Sequence, residues 1–196
     1  MTIQLKRLQF ALKKELFDKT SAAVFVAGGY ITKYLQNEKP NDMDLFFSSR
    51  SDVARFIIDA RNNLEFKHHY ISKNLIRGTI VFRGEVLKID VVKRFFKSEQ
   101  DVIDNFDFTI CCFCISVNKI VFHEDAPFDL LRKKLNIHKV TFPAATMFRL
   151  QKYVKRDFSY CSGVVKQIME KTKDKSVKIE DEIFYEDGTL SMNNFD

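Results

Sequence analysis

Gly28-Gly29, followed after a helix-length spacer by Asn41-Asp42-Met43-Asp44-Leu45-Phe46-Phe47, constrains this chain more than any other feature. A glycine pair before a helix lets backbone N–H groups approach a phosphate, and the helix N-terminus favours negative charge. Residues i and i+2 of a strand point to one face, so Asp42 and Asp44 project together while Met43, Leu45 and Phe47 point into a core. The spacing predicts strand 23–27, helix 29–37 and strand 43–48. Paired carboxylates beside a phosphate cradle are the parts that hold a divalent metal for phosphoryl or nucleotidyl transfer.

A third acid belongs to the same pattern. Residues Ile80 to Val92 read as a hairpin turning at Arg83-Gly84, and Asp90 lies in its otherwise apolar second strand. An unpaired buried carboxylate is costly, so Asp90 either faces a metal or has a cationic partner, with Lys88, Lys93 and Arg94 the nearest in sequence.

Gly28-Gly29, Asp42-x-Asp44 and Asp90 resemble the signature of the polymerase-beta-like nucleotidyltransferase superfamily. Within it the chain is most similar to the head and neck of class II CCA-adding enzymes and bacterial poly(A) polymerases. That family reads Gly-Gly-x-Val-Arg-Asp, then Lys-Asp-Ile-Asp, then Arg-Arg-Asp-Phe-Thr-Ile-Asn-Ala. The corresponding runs are Gly28-Gly29-Tyr30-Ile31-Thr32-Lys33, Asn41-Asp42-Met43-Asp44, and Asn105-Phe106-Asp107-Phe108-Thr109-Ile110-Cys111-Cys112. Phe128-Asp129-Leu130-Leu131-Arg132 and Met147-Phe148-Arg149-Leu150-Gln151-Lys152-Tyr153 look like the neck entry and its arginine-bearing helix. The likeness covers roughly residues 22 to 158 in the family's order. The chain departs at Thr32, where the family has arginine, at Asn105-Phe106, where it has basic residues, and at Cys111-Cys112. The family's base-reading Glu-Asp-x-x-Arg has no clear counterpart.

The resemblance implies an α+β fold: a nucleotidyltransferase-like mixed sheet with flanking helices, then a small C-terminal helical part. It implies a catalytic domain over 1–125 and a helical neck-like extension over 126–196. The implied reaction moves an NMP from an NTP to an acceptor hydroxyl and releases pyrophosphate. Asp42, Asp44 and Asp90 would be the catalytic carboxylates and would hold Mg²⁺ (or Mn²⁺). Gly28, Gly29, Lys33, Asp107, Arg132, Arg149 and Lys152 would serve the nucleotide, with Lys33 standing in for the family arginine and Asp107 ordering the strand beside the site. A tRNA-like RNA 3′ end is the favoured acceptor. A protein or small-molecule hydroxyl, as for a toxin-like transferase, is the alternative, and so is a non-catalytic nucleotide- or protein-binding module on the same fold.

The chain of 196 residues carries a formal net charge of +6, a moderate basic excess compatible with RNA or nucleotide phosphates. Much of it falls at Arg132, Lys133, Lys134, Lys139, Arg149, Lys152, Lys155 and Arg156, and positions 149, 152 and 156 share one helical face. Phe148, Tyr153 and Phe158, between those charges, read as core. No apolar run reaches membrane-spanning length and no secretory leader opens the chain. Four cysteines give no disulfide framework and no zinc-ribbon pairs, so free buried thiols and a cytoplasmic location are expected. Further elements are expected as helix 3–19, helix 51–63, strands 66–72, 76–82 and 86–93, helix 98–105 and strand 108–117. After Pro127 the reading is helical, with Gly163 inside or ending a helix, and a short hairpin is expected around Glu186-Asp187-Gly188.

Overall fold

A computed structural model describes residues 1–173. The hairpin expected around Glu186 lies outside the described residues. The chain runs α1 (Thr2–Glu15), β1 (Val24–Ala27), α2 (Gly29–Leu35), β2 (Asp42–Phe47), α3 (Arg50–Asn63), β3 (Lys67–Ile71), β4 (Leu75–Phe82), β5 (Glu85–Phe95) and α4 (Glu99–Ile103). It continues through β6 (Phe113–Ile115), β7 (Ile120–Phe122), α5 (Ala126–Leu131), β8 (Lys134–Leu135), α6 (Pro143–Val154), β9 (Ser159–Tyr160) and α7 (Ser162–Thr172).

Seven strands form one sheet in the order β3-β4-β5-β2-β1-β6-β7. The β2–β5 pair is parallel and every other pair in this sheet is antiparallel. The α+β class with a mixed sheet and flanking helices is therefore as expected.

Strand alternation sorts the core into two layers. Met43, Leu45 and Phe47 of β2 and Ile89 and Val91 of β5 face a large cluster. Leu5, Leu8 and Leu12 of α1, Ile31 of α2 and Phe56 of α3 close that cluster, as their helical spacing requires. Phe46 faces the opposite way, into a smaller cluster with Phe25, Phe96, Val102 and Ile103. Asp42 and Asp44 share this second face of β2, so the smaller layer is the one that borders them.

Several boundaries differ from the sequence expectation, each for a local reason. The first helix stops at Glu15 because Leu16 leaves helical geometry (φ −131°), and a short 3-10 turn, Phe17–Lys19, follows. The second ends at Leu35, and Asn37 turns the chain at φ 59°. The strand expected over 108–117 is only Phe113–Ile115. Residues Thr109–Cys111 instead form a 3-10 turn, held by Thr109 Oγ1 donating to Asp129 at 2.6 Å. Gly163 lies in the first turn of α7. The chain after β7 is not purely helical, for it also contains a two-stranded parallel ribbon, β8 with β9. Leu130, Leu135, Leu150, Tyr153, Phe158 and Ile168 join the same large cluster as the sheet, which bears out the core reading of Tyr153 and Phe158, whereas Phe148, read as core with them, is only half-buried and belongs to neither cluster.

Cys111, Cys112 and Cys114 are buried free thiols, whereas Cys161 is exposed. Burial pushes the Cys111 thiol up to about 11. No helix among the described residues is long and apolar enough to cross a membrane.

Candidate active site

Three elements bring the acids together. Asp44 of β2 is the register partner of Asp90 of the parallel β5, and of Ala27 at the end of β1. Asp42 lies two residues earlier on the same face and is exposed, while Asp44 is half-buried. Desolvation, then the charges of Asp42 and Asp90, push the Asp44 carboxyl up to about 7, against the opposing pull of Lys152 and Arg149. Three carboxylates thus come close enough to raise the Asp44 carboxyl despite the cations nearby.

Gly28 sits beside Asp44 in a conformation and a space that require glycine. Its φ is +74°, and a Cβ built on it would lie 3.2 Å from the Phe106 ring and 3.6 Å from Asp44 Oδ2. Its N–H donates to the Phe113 carbonyl at 3.2 Å, tying the turn to β6. Gly29 differs, because a Cβ there would meet nothing within 4 Å. Phe106, which replaces a basic residue of the resembled family, packs edge-on against Phe46 and walls Gly28.

Thr32 is fully buried, and its hydroxyl donates to the carbonyls of Gly28 at 3.2 Å and Ile110 at 3.0 Å. It locks the glycine turn to the 3-10 turn and presents no charge to the site. Lys33, the next residue, is close enough to Asp42 to feel its charge. Desolvation lowers the Lys33 pKa, Asp42 and Glu38 raise it, and Arg156 and Lys152 lower it.

Two of the three cations expected on one helical face, Arg149 and Lys152, lie on α6 near the acids, and the third, Arg156, follows the end of that helix at Val154. Arg149 and Lys152 of α6 both act on Asp44. Arg156 donates to Glu38 at 2.7 Å and also influences Lys33. Asp107 is buried and pairs with Arg149, so it holds that arginine's position. Arg132 follows α5, is exposed, and makes no ion pair or hydrogen bond with the three acids among the described residues.

Asp90 has a cationic partner, and it is none of the three nearest in sequence. Arg77, its register partner on β4, donates Nε to Oδ1 at 2.9 Å and Nη2 to Oδ2 at 3.0 Å. The hairpin reading itself carried the signal for Arg77. A two-residue turn at Arg83-Gly84 pairs Phe82 with Glu85, and counting back along the ladder places Arg77 opposite Asp90.

The donor set fits a divalent cation at Asp42 and Asp44, both hard oxygen ligands with unbalanced charge. Asp90 is already engaged. Among the described residues no group of three or more His, Cys, Asp or Glu side chains stands ready to hold a metal ion.

Three kinds of similarity bear on this geometry. The model of the Gabija anti-defense 2 family protein (Gad2) matches residues 3–133. A curated relative, Gabija anti-defense 2 of Bacillus phage SPbetaL7, is 24% identical over 175 residues, which cover 87% of this chain and 42% of the relative. Among solved structures, a Thermotoga maritima CCA-adding enzyme complexed with tRNA superposes with a TM-score of 0.61 at 21% identity, over 83% of this chain and 41% of that one. A CCA-adding enzyme in complex with CTP gives 0.62 at 20% identity, over 85% of this chain and 42% of that one. The chain thus spans less than half the length of these proteins, and the structural likeness is one of nucleotidyltransferase fold.

Proposed function

The chain belongs to the Gabija anti-defense 2 family, and from that premise we propose that it is a metal-dependent nucleotidyltransferase, moving an NMP from an NTP to an acceptor hydroxyl with release of pyrophosphate. The observation that carries this reading is the convergence of Asp42, Asp44 and Asp90 beside Gly28, with Lys33, Arg149 and Lys152 around them. A binding-only module gains nothing from converging acids that leave Asp44 so strongly perturbed.

Asp42 and Asp44 would hold the cation, Mg²⁺ or Mn²⁺. When bound, it supplies charge stabilisation at the phosphate oxygens and lowers the pKa of the attacking hydroxyl. The chain's own residues do the rest. Lys33, Lys152 and Arg149 offset triphosphate charge from the α2 and α6 sides, and Asp107 fixes Arg149 in place. Gly28 keeps backbone close to Asp44, and the open space over Gly29 leaves room for a ligand. Phe106, packed edge-on against Phe46, forms the apolar wall beside Gly28.

Two acceptors have separate support. The likeness to a CCA-adding enzyme complexed with tRNA favours an RNA 3′ end. The anti-defense family favours a protein component of the Gabija defense as the acceptor. Incubation of the protein with Mg²⁺ and each α-labelled NTP, with RNA or with Gabija proteins, separates them by where label appears. Label on either that is lost in Asp42→Asn and Asp44→Asn supports the transferase. Transfer that survives both substitutions removes the site assignment, and NTP binding without transfer to either acceptor favours the binding module or a small-molecule acceptor.

A further inference from the structure

Arg77 presents the Nε–Nη2 edge of its guanidinium to both oxygens of Asp90, in the bidentate geometry that makes arginine–carboxylate pairs specific. The two residues are register partners on neighbouring antiparallel strands, so the backbone delivers the pair. The Asp90 side chain is 13% exposed and the Arg77 side chain 45% exposed. The arginine, the more exposed of the two, therefore reaches the acid from the solvent side. Asp44, the register partner of Asp90 on the other side, has no such bidentate arginine among the described residues. The third acid is thus balanced by the protein itself while the first two are left for a ligand.

Resting on the transferase reading above, we propose that Arg77 is a built-in counter-ion that withholds Asp90 from metal. The resting protein then holds one divalent cation, at Asp42 and Asp44. Asp90 becomes a ligand only when Arg77 is drawn off, and the triphosphate of an arriving NTP is the anion chemically suited to draw it. Arg77 is in this sense a positioning residue: it acts on the reaction through Asp90.

The test is Mn²⁺ binding to the nucleotide-free protein, read by calorimetry and by the spin-resonance signal of free Mn²⁺. The variants are Asp44→Asn, Asp90→Asn, Arg77→Gln and Arg77→Lys. Wild type is expected to bind one Mn²⁺, lost in Asp44→Asn and retained in Asp90→Asn, weakened at most severalfold there because Arg77 is left without its counter-charge. Arg77→Gln should bind Mn²⁺ about tenfold more tightly or gain a second equivalent, because a positive charge next to the site is gone. That gain should vanish in the Arg77→Gln/Asp90→Asn double variant, and Arg77→Lys should resemble wild type. Equal or weaker binding in Arg77→Gln, or loss of the bound Mn²⁺ in Asp90→Asn, overturns the counter-ion role. Absence of Mn²⁺ binding in both wild type and Arg77→Gln overturns the metal site and the counter-ion with it. Should Arg77→Gln fail to fold, the Asp90→Asn comparison decides alone.

Discussion

Asp44 and Asp90 face each other as register partners across two adjacent parallel strands, and the shared negative charge is borne unequally. Arg77 balances Asp90, whereas burial and its acidic neighbours raise Asp44 to about 7. A carboxyl whose folded pKa is raised binds its proton more tightly in the native state. The associated stability is complete below the unfolded value of 3.8 and is lost as pH rises through about 7. Metal-free protein should therefore melt lower at pH 8 than at pH 6, and Asp44→Asn should flatten that difference. At pH 8 the substitution should stabilise by about 1–3 kcal/mol while removing activity. Melting curves in chelator at several pH values check this, and an unchanged slope in Asp44→Asn would refute it.

Adding Mg²⁺ or Mn²⁺ at pH 8 should raise the melting temperature of wild type, since a ligand bound only by the native state stabilises it by mass action. The increase should disappear on chelation and should be absent in Asp42→Asn. A metal-induced shift of equal size in that variant would place the cation elsewhere.

The two adjacent glycines should respond differently to alanine. Gly28→Ala imposes a side chain at φ +74° and presses it against Phe106, costing about 1–2 kcal/mol or more. Gly29→Ala meets open space and should leave stability unchanged or slightly raised, as glycine to alanine in a helix usually does. Its methyl group instead points into the room left for a ligand. Denaturation curves paired with NTP-binding measurements would distinguish a folding defect in the first from a binding defect in the second.

Restoring the arginine of the resembled family at position 32 should unfold the protein. Thr32 is fully buried and bonded to two carbonyls, so a guanidinium there would be an overpacked, unpaired charge. The milder Thr32→Val loses only the hydroxyl's bonds and should cost about 1–2 kcal/mol. Soluble yield and urea midpoints report both outcomes, and a folded Thr32→Arg would show that this position opens to the site.

Arg149→Met should be costly in two ways. It leaves Asp107, 6% exposed at its side chain, without its counter-ion, at about 3 kcal/mol. It also removes a cation that lowers the Asp44 pKa, so the pH of half-titration should move upward. Adding Asp107→Asn should recover part of the stability and none of the pH shift.

Much of this arrangement was legible in the sequence because it depends on period and spacing. Strand alternation alone put Asp42 and Asp44 on one face and Met43, Leu45 and Phe47 on the other. Arg77 was legible in principle, since the two-residue turn fixes the ladder, but sequence proximity drew attention to Lys88, Lys93 and Arg94. The 3-10 turn at Thr109–Cys111 was hidden, because its cause is Asp129, twenty residues away and visible only in three dimensions. The burial of Thr32 was hidden for the same reason: Ile110 accepts its hydroxyl from a distant part of the chain. Local chemistry can be read along a chain, and long-range satisfaction of polar groups cannot.

The parallel pairing of β2 with β5 has a kinetic consequence. The chain leaves β2 at Phe47 and does not return beside it until β5 has been laid down after α3, β3 and β4. Asp42 and Asp44 are therefore made long before their partner acid arrives, and the whole excursion must dock before the three meet. Such non-local pairing is slow to form. A growing chain cut short of residue 90 would carry the Asp-x-Asp run with no working centre. In refolding experiments, transfer activity should appear with the final cooperative phase and never before it.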